Sequence, residues 1–172
     1  NIDIYALRLR DLINLVKDRT NKPKVNIIAH SMGGLVARRY IQIFGEEDID
    51  KFIMITTPNK GISGAISDYC GLIGESRECQ DMHEKSLFIN KLNDPVKQPD
   101  KVKLYAIIGQ GCNMKLGNGD GIVLEENAKI NNAALYYVNG TCNSFGNVLH
   151  TEILDIEKYH ETYRTVAEIL KQ

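Results

Sequence analysis

The clearest fold signal in this chain is the stretch Val25-Asn-Ile-Ile-Ala-His-Ser-Met-Gly-Gly-Leu-Val-Ala-Arg38. Its first five residues form a short apolar run rich in β-branched side chains, which predicts a central parallel strand covered on both faces. From Leu35 onward apolar residues recur at helical spacing, and Gly45 stands where a left-handed helix cap is expected. Ser31 therefore lies in a tight turn between a buried strand and an amphipathic helix.

The turn Ala29-His-Ser-Met-Gly33 could expose the Ser31 hydroxyl as a nucleophile. A strand that passes directly into a helix holds the intervening serine in a strained conformation, so its near neighbours must be small. The turn resembles the nucleophile elbow of α/β-hydrolases, except that Ala29 replaces the first glycine. The alternative is an ordinary turn in which Ser31 only caps the helix. His30 should point away from Ser31, because adjacent strand residues face apart, so we expect it to pack or to form hydrogen bonds.

The rest of the chain alternates between helical and strand patterns. A helix is predicted from Ile4 to Val16, with a buried face formed by Ile4, Leu7, Leu12, Ile13 and Val16. Further strands are predicted at Phe52–Thr56, Lys103–Ile108 and Ala134–Val138, and a closing helix at Tyr159–Leu170. This order predicts a single α/β domain over residues 1–172, with a parallel sheet and helices on both faces. Ligands bind such sheets at the edge formed by the carboxyl ends of the strands.

A long excursion interrupts this alternation at residues 59–101. It contains one predicted helix near Glu84–Leu92, and segments of this length are often lids or binding loops. The alternative is a surface loop without a gating role.

Composition excludes several classes of protein. The chain has 172 residues, of which 43% are apolar and 25% charged, and this is an ordinary globular mixture. A net charge of −1 without basic clusters argues against a nucleic-acid partner. No apolar run approaches the roughly 20 residues of a membrane-spanning helix. The sequence does not indicate an oligomeric state.

Two residues are candidates for the acid and the base that would accompany Ser31. In α/β-hydrolases the acid follows the nucleophile in the chain and the histidine comes last. Asp120 lies in Gly117-Asn-Gly-Asp-Gly121 after the third predicted strand, and His150 follows the fourth. The alternative for the glycine-rich segment is a solvated turn; a calcium loop is disfavoured because Asn127 stands at the closing ligand position. A serine, histidine and aspartate triad needs neither a metal nor a cofactor.

Four stretches together resemble the lipase and acyl-hydrolase branch of the α/β-hydrolases, over nearly the whole chain. They are Val25 to Arg38, Thr57-Pro-Asn-Lys-Gly61, Gly119-Asp-Gly-Ile-Val123 and His150-Thr-Glu-Ile-Leu154. The resemblance implies a triad of Ser31, Asp120 and His150 that cleaves lipid-like carboxylic esters, with the Met32 backbone N–H in the oxyanion hole. It also implies a lid or acyl-binding region that contacts substrate or a lipid interface through Ile62, Ile66, Leu72 and Ile73.

One part of the family pattern is not found in this sequence. The first strands of the sheet, and the loop with the second oxyanion donor, should precede Ile4. We therefore expect the chain to be the retained part of a longer hydrolase. Two alternatives remain open: an acyltransferase with the same triad, and a non-catalytic binding module with a hydrolase fold.

The four cysteines predict disulfides. Cys112 and Cys142 follow strands that should be neighbours, and Cys70 and Cys79 would close a small loop in the excursion. Paired cysteines favour a secreted or extracytoplasmic protein, whereas four buried free thiols are the alternative.

Overall fold

The computed structural model describes residues 2–63, 76–142 and 148–172 and is organised around a four-stranded parallel sheet. Its elements in chain order are α1 (Ile2–Thr20), β1 (Val25–His30), α2 (Met32–Phe44), β2 (Ile49–Ile55), α3 (Ser76–Met82), α4 (Leu87–Leu92), a 3-10 turn (Pro95–Lys97), β3 (Lys103–Gln110), β4 (Cys112–Met114), β5 (Gly117–Gly119), α5 (Glu125–Ala128), β6 (Ala133–Asn139), α6 (Leu149–Glu152) and α7 (His160–Lys171). The predicted strands and long helices are confirmed, with boundaries that differ by a few residues. Helix α3 and the β4–β5 hairpin were not predicted.

The sheet order β1-β2-β3-β6 follows the chain order, and all three pairings are parallel. All four carboxyl ends therefore lie at one edge of the sheet. Helices cover both faces: Phe52 and Met54 pack in a cluster with residues of α1 and α2, whereas Ile53 packs with Leu149 and Ile169 of α6 and α7. The parallel sheet with helices on both faces, predicted from the sequence, is thus confirmed.

The buried face predicted for α1 is wrong apart from Ile13. The helix buries Ile2, Ala6 and Ile13, whereas Ile4, Leu7, Leu12 and Val16 are between 39% and 54% exposed. Apolar residues occur on more than one side of α1, so their spacing alone could not select the side that packs. The side that packs is selected by α2, because Ala6 and Ile13 lie in one core cluster with residues of that helix.

The prediction that β1 is a central strand covered on both faces is also wrong for the described part of the chain. There β1 is an edge strand, and Ile28 is 48% exposed. An apolar run shows that a strand can be buried, but the neighbouring elements decide how many of its sides are covered.

Arg38 ties the excursion to α2. Its guanidinium group is buried and donates to the backbone carbonyl and side-chain oxygen of Asn59, to the Leu92 carbonyl, and to side-chain oxygens of Asn93 and Gln98. Burial lowers the pKa of Arg38 to about 10, so the group stays charged at neutral pH. We call this set the Arg38 anchor, and it connects both ends of the described excursion to one helix. A lid or binding role for residues 59–101 stays a prediction.

None of the described helices combines the length and apolar character that crossing a bilayer requires.

Candidate active site

Ser31 lies between β1 and α2 in a strained backbone conformation, with φ 52° and ψ −129°. Positive φ is uncommon for a residue with a side chain and persists only where the surrounding structure holds it. Here the Ser31 backbone N–H donates to the Ile55 carbonyl at 2.9 Å, which ties the turn to β2. Ser31 occupies the capping position of α2, yet its hydroxyl makes no capping hydrogen bond. The alternative of a serine that only caps the helix therefore does not match this turn.

Gly33 and Gly34, which follow Met32, differ in how much space surrounds them for a side chain. A methyl group at Gly34 would lie 2.6 Å from Thr57 Cγ2 and 2.8 Å from Thr57 Cβ, which is too close for any side chain. A methyl group at Gly33 would meet Ala29 Cβ at 3.7 Å, an ordinary van der Waals contact. The close approach that requires glycine is therefore at Gly34, between α2 and the segment after β2.

Asp120 is buried in a turn between β5 and α5. One of its carboxylate oxygens accepts hydrogen bonds from the backbone N–H groups of Ile122 at 2.9 Å and Val123 at 2.7 Å. Gly121 has φ 96° and allows the chain to reverse directly after the carboxylate. The second carboxylate oxygen is left to face His150.

His150 connects the carboxylate to the hydroxyl. Its Nδ1 lies 2.8 Å from Asp120 Oδ2, and its Nε2 lies 2.8 Å from Ser31 Oγ. The imidazole and the carboxylate are each 2% exposed, so bulk water barely reaches their hydrogen bond. The three residues predicted to form a triad are thus brought together, although 119 residues separate Ser31 from His150.

Met32 is the first residue of α2, whose amide groups in the first turn have no acceptor within the helix. This location agrees with a role of the Met32 backbone N–H in the oxyanion hole. That role stays a prediction.

The predicted substrate contacts are placed only in part. Ile62 is buried in a core cluster with Leu35, Met82 and Ile89, so it contributes to packing in this structure. Ile66, Leu72 and Ile73 lie outside the described residues. A role of these four side chains in binding substrate stays a prediction.

A disulfide joins Cys112 and Cys142, with their α-carbons 5.2 Å apart. It connects the ends of β3 and β6, next to the turn of Asp120, and a methyl group at Gly121 would lie 2.7 Å from Cys142 Sγ. Cys70 lies outside the described residues, so its pairing with Cys79 stays a prediction.

One close contact was not predicted as part of the site. His30 Nε2 lies 2.7 Å from the backbone carbonyl oxygen of His150. The sequence placed His30 beside the nucleophile, but the contact depends on how the chain brings residue 150 back to β1.

Solved structures share this fold. The mature lipase BlEst2 of Bacillus licheniformis superposes with a TM-score of 0.79 at 15% identity, covering 99% of this chain and 74% of the lipase. Lipase B of Aspergillus fumigatus gives a TM-score of 0.62 at 14% identity, covering 80% of this chain and 34% of that one. At these identities the comparisons show the α/β-hydrolase fold alone.

Sequence comparison identifies the family. The family model described as Lipase (class 2) matches residues 4–115, which is more than half of the chain. Phospholipase A(1) LCAT3 of Arabidopsis thaliana is 36% identical over 70 residues, which are 39% of this chain and 16% of that protein. The chain thus matches a small part of this curated relative. Because the family model matches more than half of its residues, this chain belongs to the class 2 lipase family.

Proposed function

We propose that this chain carries the catalytic centre of a serine hydrolase that cleaves lipid-like carboxylic esters through an acyl-enzyme. The observation that supports this most strongly is the continuous line of hydrogen bonds from Asp120 Oδ2 through both nitrogens of His150 to Ser31 Oγ. Serine is a weak nucleophile until a neighbouring base removes its proton, and this line supplies the base and the group that orients it.

In the proposed first step Ser31 Oγ attacks the ester carbonyl carbon while its proton passes to His150 Nε2. Asp120 keeps the other imidazole proton on Nδ1 and stabilises the imidazolium that forms. The negative charge that develops on the substrate oxygen lies near the N-terminus of α2, where the Met32 N–H donates to it. When the tetrahedral intermediate collapses, the ester C–O bond breaks and His150 gives its proton to the departing alcohol.

The second step repeats the chemistry with water. His150 takes a proton from water, the resulting hydroxide attacks the acyl carbon, and the bond to Ser31 Oγ breaks. Ser31 recovers its proton from His150, and a carboxylic acid is released. If an alcohol enters instead of water, the same residues perform acyl transfer, which is the second candidate function. A binding module without activity is less well supported, because the strained turn directs the Ser31 hydroxyl to His150 Nε2 and not to the cap of α2, an arrangement with no evident structural purpose.

Membership of a lipase family and similarity to part of a protein named as a phospholipase A(1) support a lipid-like substrate. The same proposal includes contact with a lipid surface during turnover. A secreted or extracytoplasmic location agrees with the disulfide between Cys112 and Cys142, because such bonds persist in oxidising compartments.

Labelling by a fluorophosphonate probe tests the nucleophile directly. We expect the protein at its natural length to be labelled at Ser31, and Ser31→Ala to lose labelling together with about 10⁴- to 10⁶-fold of its kcat toward p-nitrophenyl esters. Ser63→Ala is the control, because Ser63 bonds to Glu84 and to none of the three triad residues in the described contacts. A folded wild-type protein that neither reacts with the probe nor cleaves any ester would contradict the proposal.

Product analysis separates hydrolysis from acyl transfer. With a long-chain ester, water and a competing alcohol present together, a hydrolase releases mainly free acid. Predominant formation of a new ester would instead identify an acyltransferase.

A further inference from the structure

His30 makes a directed contact with the main chain of the catalytic histidine. Its Nε2 lies 2.7 Å from the carbonyl oxygen of His150, and the two ring centroids are 4.9 Å apart with planes tilted by 47°. A carbonyl oxygen can only accept, so Nε2 of His30 must carry a proton and donate it. The hydrogen bond determines the tautomer of His30.

The contact is one of the hydrogen bonds that hold the backbone and the ring of His150 to its neighbours. The His150 backbone N–H donates to the Asp120 carbonyl at 2.9 Å, and its Nδ1 faces the Asp120 carboxylate. Both of these bonds lead to the acid turn. Among the described hydrogen bonds, the one from His30 connects the main chain of His150 to β1, the strand that precedes Ser31.

We infer that His30 is a positioning residue that holds the His150 main chain at a set distance from Ser31. The inference rests on the proposed function. His30 and Ser31 share a peptide bond, so any movement of β1 carries the nucleophile and the contact to the base together. The imidazole of His150 is thereby placed relative to Ser31 by its backbone as well as by its ring. Such placement has a large effect on rate, because an error of about 1 Å can cost about 100-fold.

The environment of His30 suits this role. Burial, followed by the nearby His150, lowers the pKa of His30 below its ordinary value, while its bond to the His150 backbone and the Asp120 charge act in the opposite direction. At neutral pH, above this lowered pKa, we expect His30 to be neutral when His150 accepts the proton of Ser31. A neutral neighbour avoids like-charge repulsion with the imidazolium that forms during attack.

His30 does not act as a substitute base. Its Nε2 is occupied by the carbonyl of His150, and in the described contacts the Ser31 hydroxyl donates to Nε2 of His150. Its effect on the reaction passes through His150.

Two variants of similar shape separate the hydrogen bond from packing. His30→Gln retains an N–H donor near the position of Nε2, whereas His30→Met fills similar space without a donor. In the protein at its natural length we expect His30→Met to lower kcat about 10- to 100-fold with KM within about 2-fold of wild type. His30→Gln should restore most of the lost kcat. A residue that only packs would give equal kcat in the two variants, and that result would overturn the inference.

A spectroscopic readout keeps the inference separate from the proposed function. The His150 Nδ1 proton, held by Asp120, should give a downfield proton resonance that wild type and His30→Gln share and that is shifted or broadened in His30→Met. The same resonance in all three proteins would contradict the positioning role, whether or not the protein is active. An inactive, unlabelled wild type with the expected resonances would refute the proposed function and leave the positioning contact supported. Melting temperatures of the variants show whether each one is folded.

Discussion

The triad and the Arg38 anchor are both buried networks of polar side chains, but they use charge differently. In the proposed triad the Asp120 carboxylate faces the imidazole of His150, and the line of hydrogen bonds ends at the hydroxyl of Ser31. In the anchor a charged guanidinium meets only neutral oxygens in the described contacts, which come from residues of the excursion such as Asn59 and Leu92. We propose that the first network moves a proton, whereas the second only holds segments of the chain together.

The two networks should therefore contribute to different measurable properties of the protein. Every bond of the triad leads toward a proton transfer, so its loss should appear mainly in the reaction rate. Every bond of the anchor satisfies a carbonyl or amide oxygen of the excursion, so its loss should appear mainly in the free energy of unfolding. Three substitutions test this division.

The largest effect is expected for Asp120→Asn. An amide can still accept from the N–H groups of Ile122 and Val123, but its NH₂ group faces His150 Nδ1 and favours the wrong tautomer. We expect kcat to fall about 10⁴-fold while the midpoint of thermal unfolding changes little. Steady-state kinetics and calorimetry on the same preparation measure both quantities. A large loss of stability with a small loss of rate would reverse the division.

The second substitution is Arg38→Met, which removes the donor to the Asn59 and Leu92 carbonyls. We expect the free energy of unfolding to fall by about 3 kcal/mol, because hydrogen bonds to charged groups are strong and their buried partners are left unpaired. Chemical denaturation measures this, and kcat per folded molecule should stay near that of wild type. Arg39→Met is the matched control: the Arg39 side chain is 12% exposed but its partner Asp3 is 46% exposed, so water can solvate the carboxylate left behind and we expect a smaller loss, about 1 kcal/mol. Equal effects of the two arginine substitutions would show that the anchor has no special role.

The smallest effect is expected at Gly34, where α2 closely approaches the segment after β2. Alanine there would overlap Thr57, which lies just before the excursion, and overpacking of this kind costs about 1–3 kcal/mol. Gly33→Ala, one residue earlier, should be neutral or slightly stabilising, because its methyl group has room and alanine favours a helix. Thermal unfolding of the two variants measures the difference. If Gly33→Ala were the more damaging of the two, the assignment of the close approach to Gly34 would be wrong.

Much of the candidate site could be predicted from the sequence, because each of its three residues follows a recognisable strand. Ser31, Asp120 and His150 come after β1, after the β3 region and after β6, and parallel strands place such positions at one edge. The Cys112–Cys142 pair could be anticipated in the same way, since both cysteines follow neighbouring strands.

Other features could not be predicted because their partners are distant and chemically ordinary. The acceptors of Arg38 are carbonyl and amide oxygens 21 to 60 residues away, which every sequence supplies in abundance. His30 was expected to pack or to form a hydrogen bond, but its acceptor is a backbone carbonyl, so the identity of residue 150 gives no sign of the contact. No periodic pattern marks such contacts.

By itself the sequence determined the local features of this protein: a strand, a tight turn with small neighbours and a helix around Ser31, and the chain order of the acid and the base. These depend on backbone sterics and on apolar spacing within one element, which act over a few residues. Tertiary structure alone decided that α1 buries Ala6 and not Leu7, that β1 leaves Ile28 half exposed, and that His30 meets His150. Burial and hydrogen bonding at those positions depend on which elements become neighbours, and residues far apart in the chain decide that.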